Sequence, residues 1–328
     1  MKSLIMTRDG LQIADTPTPP LMPGYVRIEV RSVGISRTDL KIWSGEVDVD
    51  LPLVLGHEIA GVVHESSDPE FKAGVPVTTE SHLSCGSCFH CRNKKKHLCR
   101  AKKKLGFTVD GGMTEYLCVP SELIHKLPDP IDFLTGTFVE PLAVAIETYT
   151  RATVNPEEQV LVIGTGKTGL LVSQVFDAFG ADVYLLGDNQ WHLGVARQVG
   201  LGNILKRFED WQKKILSATN GVGPSVVVEA TGTHEGLQIA LDIVRSDGTI
   251  ALSGRSENNF NLDTRTIIDR EISLFGTARG DFDMAIMMLQ KGRIEVKRMI
   301  SKQFSLEQGT QAFEAATKPE NLKVNINI

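Results

Sequence analysis

Gln159-Val160-Leu161-Val162-Ile163-Gly164-Thr165-Gly166-Lys167-Thr168-Gly169 decides how this chain folds. A short apolar run reads as a buried strand, three glycines spaced Gly-x-Gly-x2-Gly follow it at once, and a helical stretch opens behind them. Gly164 permits a tight turn, Gly166 lets backbone approach a pyrophosphate, and Gly169 allows helix to pack closely on strand. The helix N-terminus favours the anion, so the turn, Lys167 and Thr168 included, reads as a dinucleotide cradle. A plain structural glycine turn is the alternative. The Lys167-Thr168 pair lacks the Gly-x4-Gly-Lys-[Ser/Thr] spacing of a P-loop.

Outward from this turn, strands alternate with helices. Val183-Tyr184-Leu185-Leu186, Ser225-Val226-Val227-Val228 and Thr249-Ile250-Ala251-Leu252 read as further strands, so a doubly wound parallel sheet is expected over roughly Leu142 to Gly276. Upstream, from Lys2 to about Asp129, the texture is short β-type runs between turn residues, among them Val26 to Val30, Ala60 to Val63, Val75 to Val77 and Tyr116 to Val119. That pattern is an irregular, mostly antiparallel β domain. Downstream come a helix, Phe282 to Lys291, and a last strand, Leu322 to Ile328, a tail able to return to the first domain. The expected class is α/β, with one domain at 142–278 and a β-rich one at 1–141 completed by 279–328.

An acidic residue after the strand that follows such a turn holds the adenosine ribose hydroxyls, and Asp188 stands there, behind Gly187. NAD is thereby favoured over NADP. Setting Gly187 at that position instead admits a 2′-phosphate, yet Gly187-Asp188-Asn189-Gln190-Trp191 holds no Arg or Lys, and Asp188 repels such a group.

Length and composition bound the rest. A chain of 328 residues with 41% hydrophobic and 23% charged residues fits two globular domains. A net charge of -5 gives no bulk attraction to polyphosphate or acidic membranes, so nucleic acid is not the expected partner. The first residues lack the apolar length of a signal peptide, and no window reaches the roughly eighteen apolar residues of a membrane span. A cytoplasmic location is expected.

Cysteine usage agrees. Cys85-x2-Cys88-x2-Cys91-x7-Cys99 places four of the five cysteines in one loop, a spacing that suits tetrahedral zinc. With four protein thiolates no position remains for water or substrate, so this zinc is structural. Reduced cysteines without metal, or two disulfides, are the alternatives. Cys118 sits alone in an apolar strand and reads as core.

A third set of motifs comprises Ser36-Arg37-Thr38-Asp39, Gly56-His57-Glu58 and Glu140-Pro141-Leu142. Together with the cysteine lobe, at about 82–105, and the Gly164 turn, in this order, they resemble the zinc-containing medium-chain alcohol dehydrogenases. Glu140-Pro141-Leu142 and Leu322-Lys323-Val324 look most similar to the polyol, sugar and threonine dehydrogenase branches. The resemblance implies a GroES-like catalytic domain beside a Rossmann domain, assembly as a homodimer or homotetramer, and hydride transfer between NAD(P) and a secondary alcohol, polyol or sugar hydroxyl.

It also implies roles. His57, Glu58 and Glu140 match the catalytic metal site, while Ser36 stands where a ligating cysteine is expected. Serine is a poor zinc ligand, so three outcomes are open: zinc on His57, Glu58, Glu140 and water, an exchangeable metal, or none. Thr38 would relay a proton and Asp39 would orient His57 through its other ring nitrogen. Arg37 and Lys323 would contact the coenzyme pyrophosphate, and Ala230, Thr231 and Gly254 would line its site. Lys41 stands where relatives end the relay with histidine.

Lys94-Lys95-Lys96-His97 and Lys102-Lys103-Lys104 make the lobe basic, which reads as a solvated face in preference to an RNA or acidic-partner patch. Trp43 either lines the substrate pocket or packs. Two further readings compete with the leading one. A zinc-independent carbonyl or alkene reductase of the same fold accounts for Ser36, and a catalytically silent dinucleotide-binding protein accounts for the fold alone.

Overall fold

The computed structural model describes residues 1–256 and 259–328. Val160 to Ile163 are at most 2% exposed, so successive side chains on both sides of this strand are covered. Six strands run parallel in the spatial order 203–206, 182–187, 159–163, 226–229, 249–252, 273–276. The order reverses direction at strand Gln159–Ile163, and a sheet of this kind binds ligands outside the strand ends at that point. Gly164 leaves this strand there.

The β-rich part is built around strand Tyr25–Gly34, which pairs with Glu58–Ser66, Tyr116–Pro120 and Lys323–Asn327. Gly34 faces Glu58 on one side and Asn325 on the other, so register alone brings the last strand beside the Gly56-His57-Glu58 motif. The last strand also runs parallel to Ile300–Ser305, an element absent from the sequence reading. A core of Val26, Ile28, Val30, Val33, Leu55, Ile59, Phe313 and Ile326 fills this part, while Leu161, Ile163, Leu186, Val227, Leu241 and Ile250 fill the other.

The chain divides into two units, 1–140 with 285–291 and 300–328, and 141–284 with 292–299. The division departs from the expected one, which gave everything after 278 to the first domain. Residues 292–299 stay with the parallel sheet because Glu295 N–H donates to Gln174 Oε1 at 2.8 Å and Met299 is fully buried, 3.7 Å from Gln174 Nε2. Among the described residues, no helix is long and apolar enough to cross a membrane.

Candidate active site and metal centres

The cysteine lobe is closed at its base by the pairing of His82–Leu83 with Lys103–Lys104. Its four Sγ atoms lie within 4.8 Å of one another, with 3.5 Å between Cys88 and Cys91 and between Cys85 and Cys99, and 3.9 Å between Cys85 and Cys91. Four sulfurs at tetrahedral corners 2.3 Å from zinc stand about 3.8 Å apart, so the lobe fits the ion. All four are free thiols here. Backbone N–H groups of Ser87 and Cys88 pull the Cys85 thiol down to about 6. At Cys99 the Cys85 N–H acts in the same direction, but burial and the neighbouring Cys85 sulfur prevail and push it up to about 11. Lys96 pairs with Glu122 at 2.6 Å, and Lys94, Lys95 and Lys103 point to solvent. Cys118 is raised by burial, which keeps it a thiol.

At the Gly164 turn each glycine has a distinct steric reason. Gly164 has φ +110°, and a Cβ there would sit 2.9 Å from Thr231 Cγ2 and 3.1 Å from the Ala230 carbonyl carbon. A Cβ on Gly169 would fall 1.8 Å from Gly164 O, so only glycine lets the helix lie this close to the strand end. Gly166 meets nothing within 4 Å; it caps helix Lys167–Ala178 without a side-chain bond, leaving the helix N-terminus turned to open space. Beside the turn, the buried Glu229 carboxylate accepts the N–H groups of Thr231 at 2.7 Å and Gly232 at 3.1 Å, and Gly254 packs on Gly232. Asp188 directly follows strand Asp182–Gly187, and its Oδ1 is buried with no hydrogen-bond partner among the described residues.

In the β-rich unit His57, Glu58 and Glu140 bring one ligand atom each within 4.8 Å of one another. His57 is 4% exposed and Glu58 2%. Ser36 caps helix Arg37–Trp43: its hydroxyl donates to Asp39 Oδ2 at 2.6 Å and its backbone N–H to the same oxygen at 2.8 Å. Asp39 Oδ1 accepts the Gly56 N–H at 3.0 Å and stands 3.8 Å from His57 Nδ1. The serine is thus a capping residue, turned to Asp39. Asp39 braces the turn before His57 through backbone, and 3.8 Å is too long for the expected bond to the ring. Arg37 is exposed and Thr38 half-buried on the helix's first turn.

Comparison with known proteins agrees with both halves of this geometry. Residues 22–129 match the model of the alcohol dehydrogenase GroES-like domain and residues 168–291 that of the zinc-binding dehydrogenases. The sorbitol dehydrogenase of Bacillus subtilis is 32% identical over 99% of this chain and 97% of its own length. This chain belongs to the zinc-containing medium-chain alcohol dehydrogenases. It is therefore an oxidoreductase that uses a nicotinamide dinucleotide and zinc to interconvert alcohol and ketone. The D-arabitol-phosphate dehydrogenase of Enterococcus avium is 31% identical over 97% of this dehydrogenase and 94% of that one. Among solved structures, a Sinorhizobium meliloti chain described as a zinc-binding dehydrogenase and bound to NADP superposes with TM-score 0.93 at 25% identity, covering 100% of this chain and 99% of that one.

Lys323, expected to contact the coenzyme pyrophosphate, is 1% exposed in this dehydrogenase: its ammonium pairs with Glu58, donates to Thr137 O at 3.0 Å and lies 4.6 Å from the centre of the Phe138 ring. Trp43 is half-buried and packs edge-on to Phe313 at 5.7 Å, against the core. Sequence reading missed Glu229, whose signal was an acid ending a fully apolar strand, and Arg207. Arg207 Nε lies 3.5 Å from Asp188 Oδ2 because Gly187 is in register with Lys206, which sets the following residues side by side.

Proposed function

We propose that this dehydrogenase oxidises a secondary hydroxyl of a polyol or sugar, and reduces the matching ketone, with NAD as its preferred coenzyme. The polyol class is supported by the names of the sorbitol and arabitol-phosphate relatives. The preference for NAD rests on Asp188, whose buried, unpartnered Oδ1 suits a ribose hydroxyl and repels a 2′-phosphate. Gly166 and the uncapped helix behind it receive the pyrophosphate, and Arg37 supplies a further positive charge.

The catalytic metal is held by His57, Glu58 and Glu140, with Ser36 outside the shell. The observation that carries this is their convergence in one cluster, His57 and Glu58 buried and Glu140 half-buried, while the serine hydroxyl is spent on Asp39. One imidazole and two carboxylates are acceptable zinc donors. When bound, the metal supplies Lewis acidity that lowers the pKa of the substrate hydroxyl. Around it the chain's own groups act. Lys323 balances one carboxylate charge and fixes Glu58, Asp39 holds the Gly56 turn that aims His57, and Thr38 passes the hydroxyl proton outward.

Metal counted per chain on protein purified without added metal tests this. Two zinc ions are expected in the wild type and one in His57→Ala, with polyol-dependent NADH formation lost in the variant. A wild type holding a single zinc, with turnover untouched by chelator, overturns the catalytic metal and leaves the zinc-independent reductase as the reading.

A further inference from the structure

Asp188, Arg207 and Glu235 form a charged bridge across three elements. Arg207 directly follows strand Asn203–Lys206, and its guanidinium reaches Asp188 Oδ2 with Nε, at 3.5 Å. It grips Glu235 with both terminal nitrogens, Nη1 at 3.2 Å from Oε2 and Nη2 on Oε1. Glu235 lies in the first turn of helix His234–Ile243, just beyond the Thr231-Gly232 turn that packs on Gly164. The bridge carries two carboxylates and one guanidinium, a net charge of -1, and one of its carboxylates is Asp188, the acid proposed to hold the adenosine ribose.

We propose that Arg207 is the residue that sets coenzyme discrimination in this chain, a phosphate-competent cation held away from the ribose 2′ position by Asp188 and Glu235. The proposal rests on the reading that the Gly164 turn binds a nicotinamide dinucleotide. A guanidinium fork matches a phosphate and a carboxylate equally well. Here Glu235 fills the fork and Asp188 takes the Nε edge, so a 2′-phosphate meets two carboxylates before it meets the cation. With Oδ2 beside Arg207, Asp188 keeps Oδ1 for the hydroxyl of NAD. Arg207 is a positioning residue toward NAD, and its charge becomes available to NADP when its partners are removed.

Fluorescence titration of the full chain with NADH and NADPH gives the ratio of the two dissociation constants, the quantity a merely structural role leaves unmoved. Arg207→Ala removes the cation, and the preference for NADH is expected to rise about tenfold, with Arg207→Lys returning the ratio part of the way to the wild-type value. Glu235→Gln frees the fork, and the preference is expected to fall about tenfold. Asp188→Ala with Glu235→Gln is expected to bind NADPH more tightly than NADH. Coenzyme binding with an unchanged ratio in both single variants overturns the proposal alone. Failure of the wild type to bind either coenzyme, with its thermal midpoint intact, overturns the reading beneath it.

Discussion

Lys323 and Glu58 stand 265 positions apart, and their pairing shows how a carboxylate of the proposed metal site is held by a group outside it. Both are sealed from water, and Gly34 makes room: a Cβ there would lie 2.1 Å from Lys323 Nζ and 2.7 Å from Glu58 Oε2. A buried carboxylate that loses its cation pays its desolvation uncompensated, a loss of about 3–5 kcal/mol. Lys323→Met should therefore destabilise the metal-free protein by about that amount in denaturant titration, and adding Glu58→Gln should recover a large part of it. Equal losses in the single and double variants would show the ammonium to serve packing alone. Ser36 gives a second expectation at this scale. Because its hydroxyl is an N-cap, Ser36→Ala should cost about 1 kcal/mol of stability and leave the zinc count of the wild type unchanged. A zinc lost with the hydroxyl, read by metal analysis, would put Ser36 back among the ligands.

At the scale of elements the cysteine lobe is the most exposed to metal loss. Its helical pieces are Phe89–Arg92 and Lys96–Leu98, too short to hold themselves, so the thiolate cluster is what orders the segment. The segment from Arg92 to Lys104 carries eight Lys and Arg and no acid, which makes it a trypsin substrate once it opens. Chelation, or Cys99→Ser, should speed tryptic cleavage within that segment at least about tenfold while the rest of the chain stays intact, as read by mass spectrometry. Cleavage at the wild-type rate would mean the lobe is ordered without zinc. This lobe and the Gly164 turn were legible in the sequence because their information is local: spacing within one loop and glycines within one turn. Arg207 beside Asp188 and Lys323 beside Glu58 were not, since each pair is made by strand register across distant segments. The window around Asp188 contained no cation, and the one that matters enters from the next strand. Residues 292–299 were misplaced for the same reason, their attachment running through Glu295 and Met299 to the distant Gln174.

Two hydrophobic clusters among the described residues have separate membership, one under strand Tyr25–Gly34 and one around the parallel sheet. The groups assigned to metal all belong to the first unit, and the coenzyme turn with Asp188 belongs to the second. A ligand stabilises only the state that binds it, so metal and coenzyme act on different units. In calorimetry of the metal-loaded wild type, NADH at one hundred times its dissociation constant adds about 2.7 kcal/mol to the second unit, raising its midpoint by roughly 5–11 °C. Chelation should lower the other transition and leave the coenzyme-sensitive one in place. Arg207→Ala should shrink the NADH shift without moving the metal-sensitive transition, which separates a coenzyme defect from general destabilisation. A single transition that moves as one with either ligand would show that the four chain crossings between the units fuse them into one cooperative body, and stability effects in one unit would then register in the other.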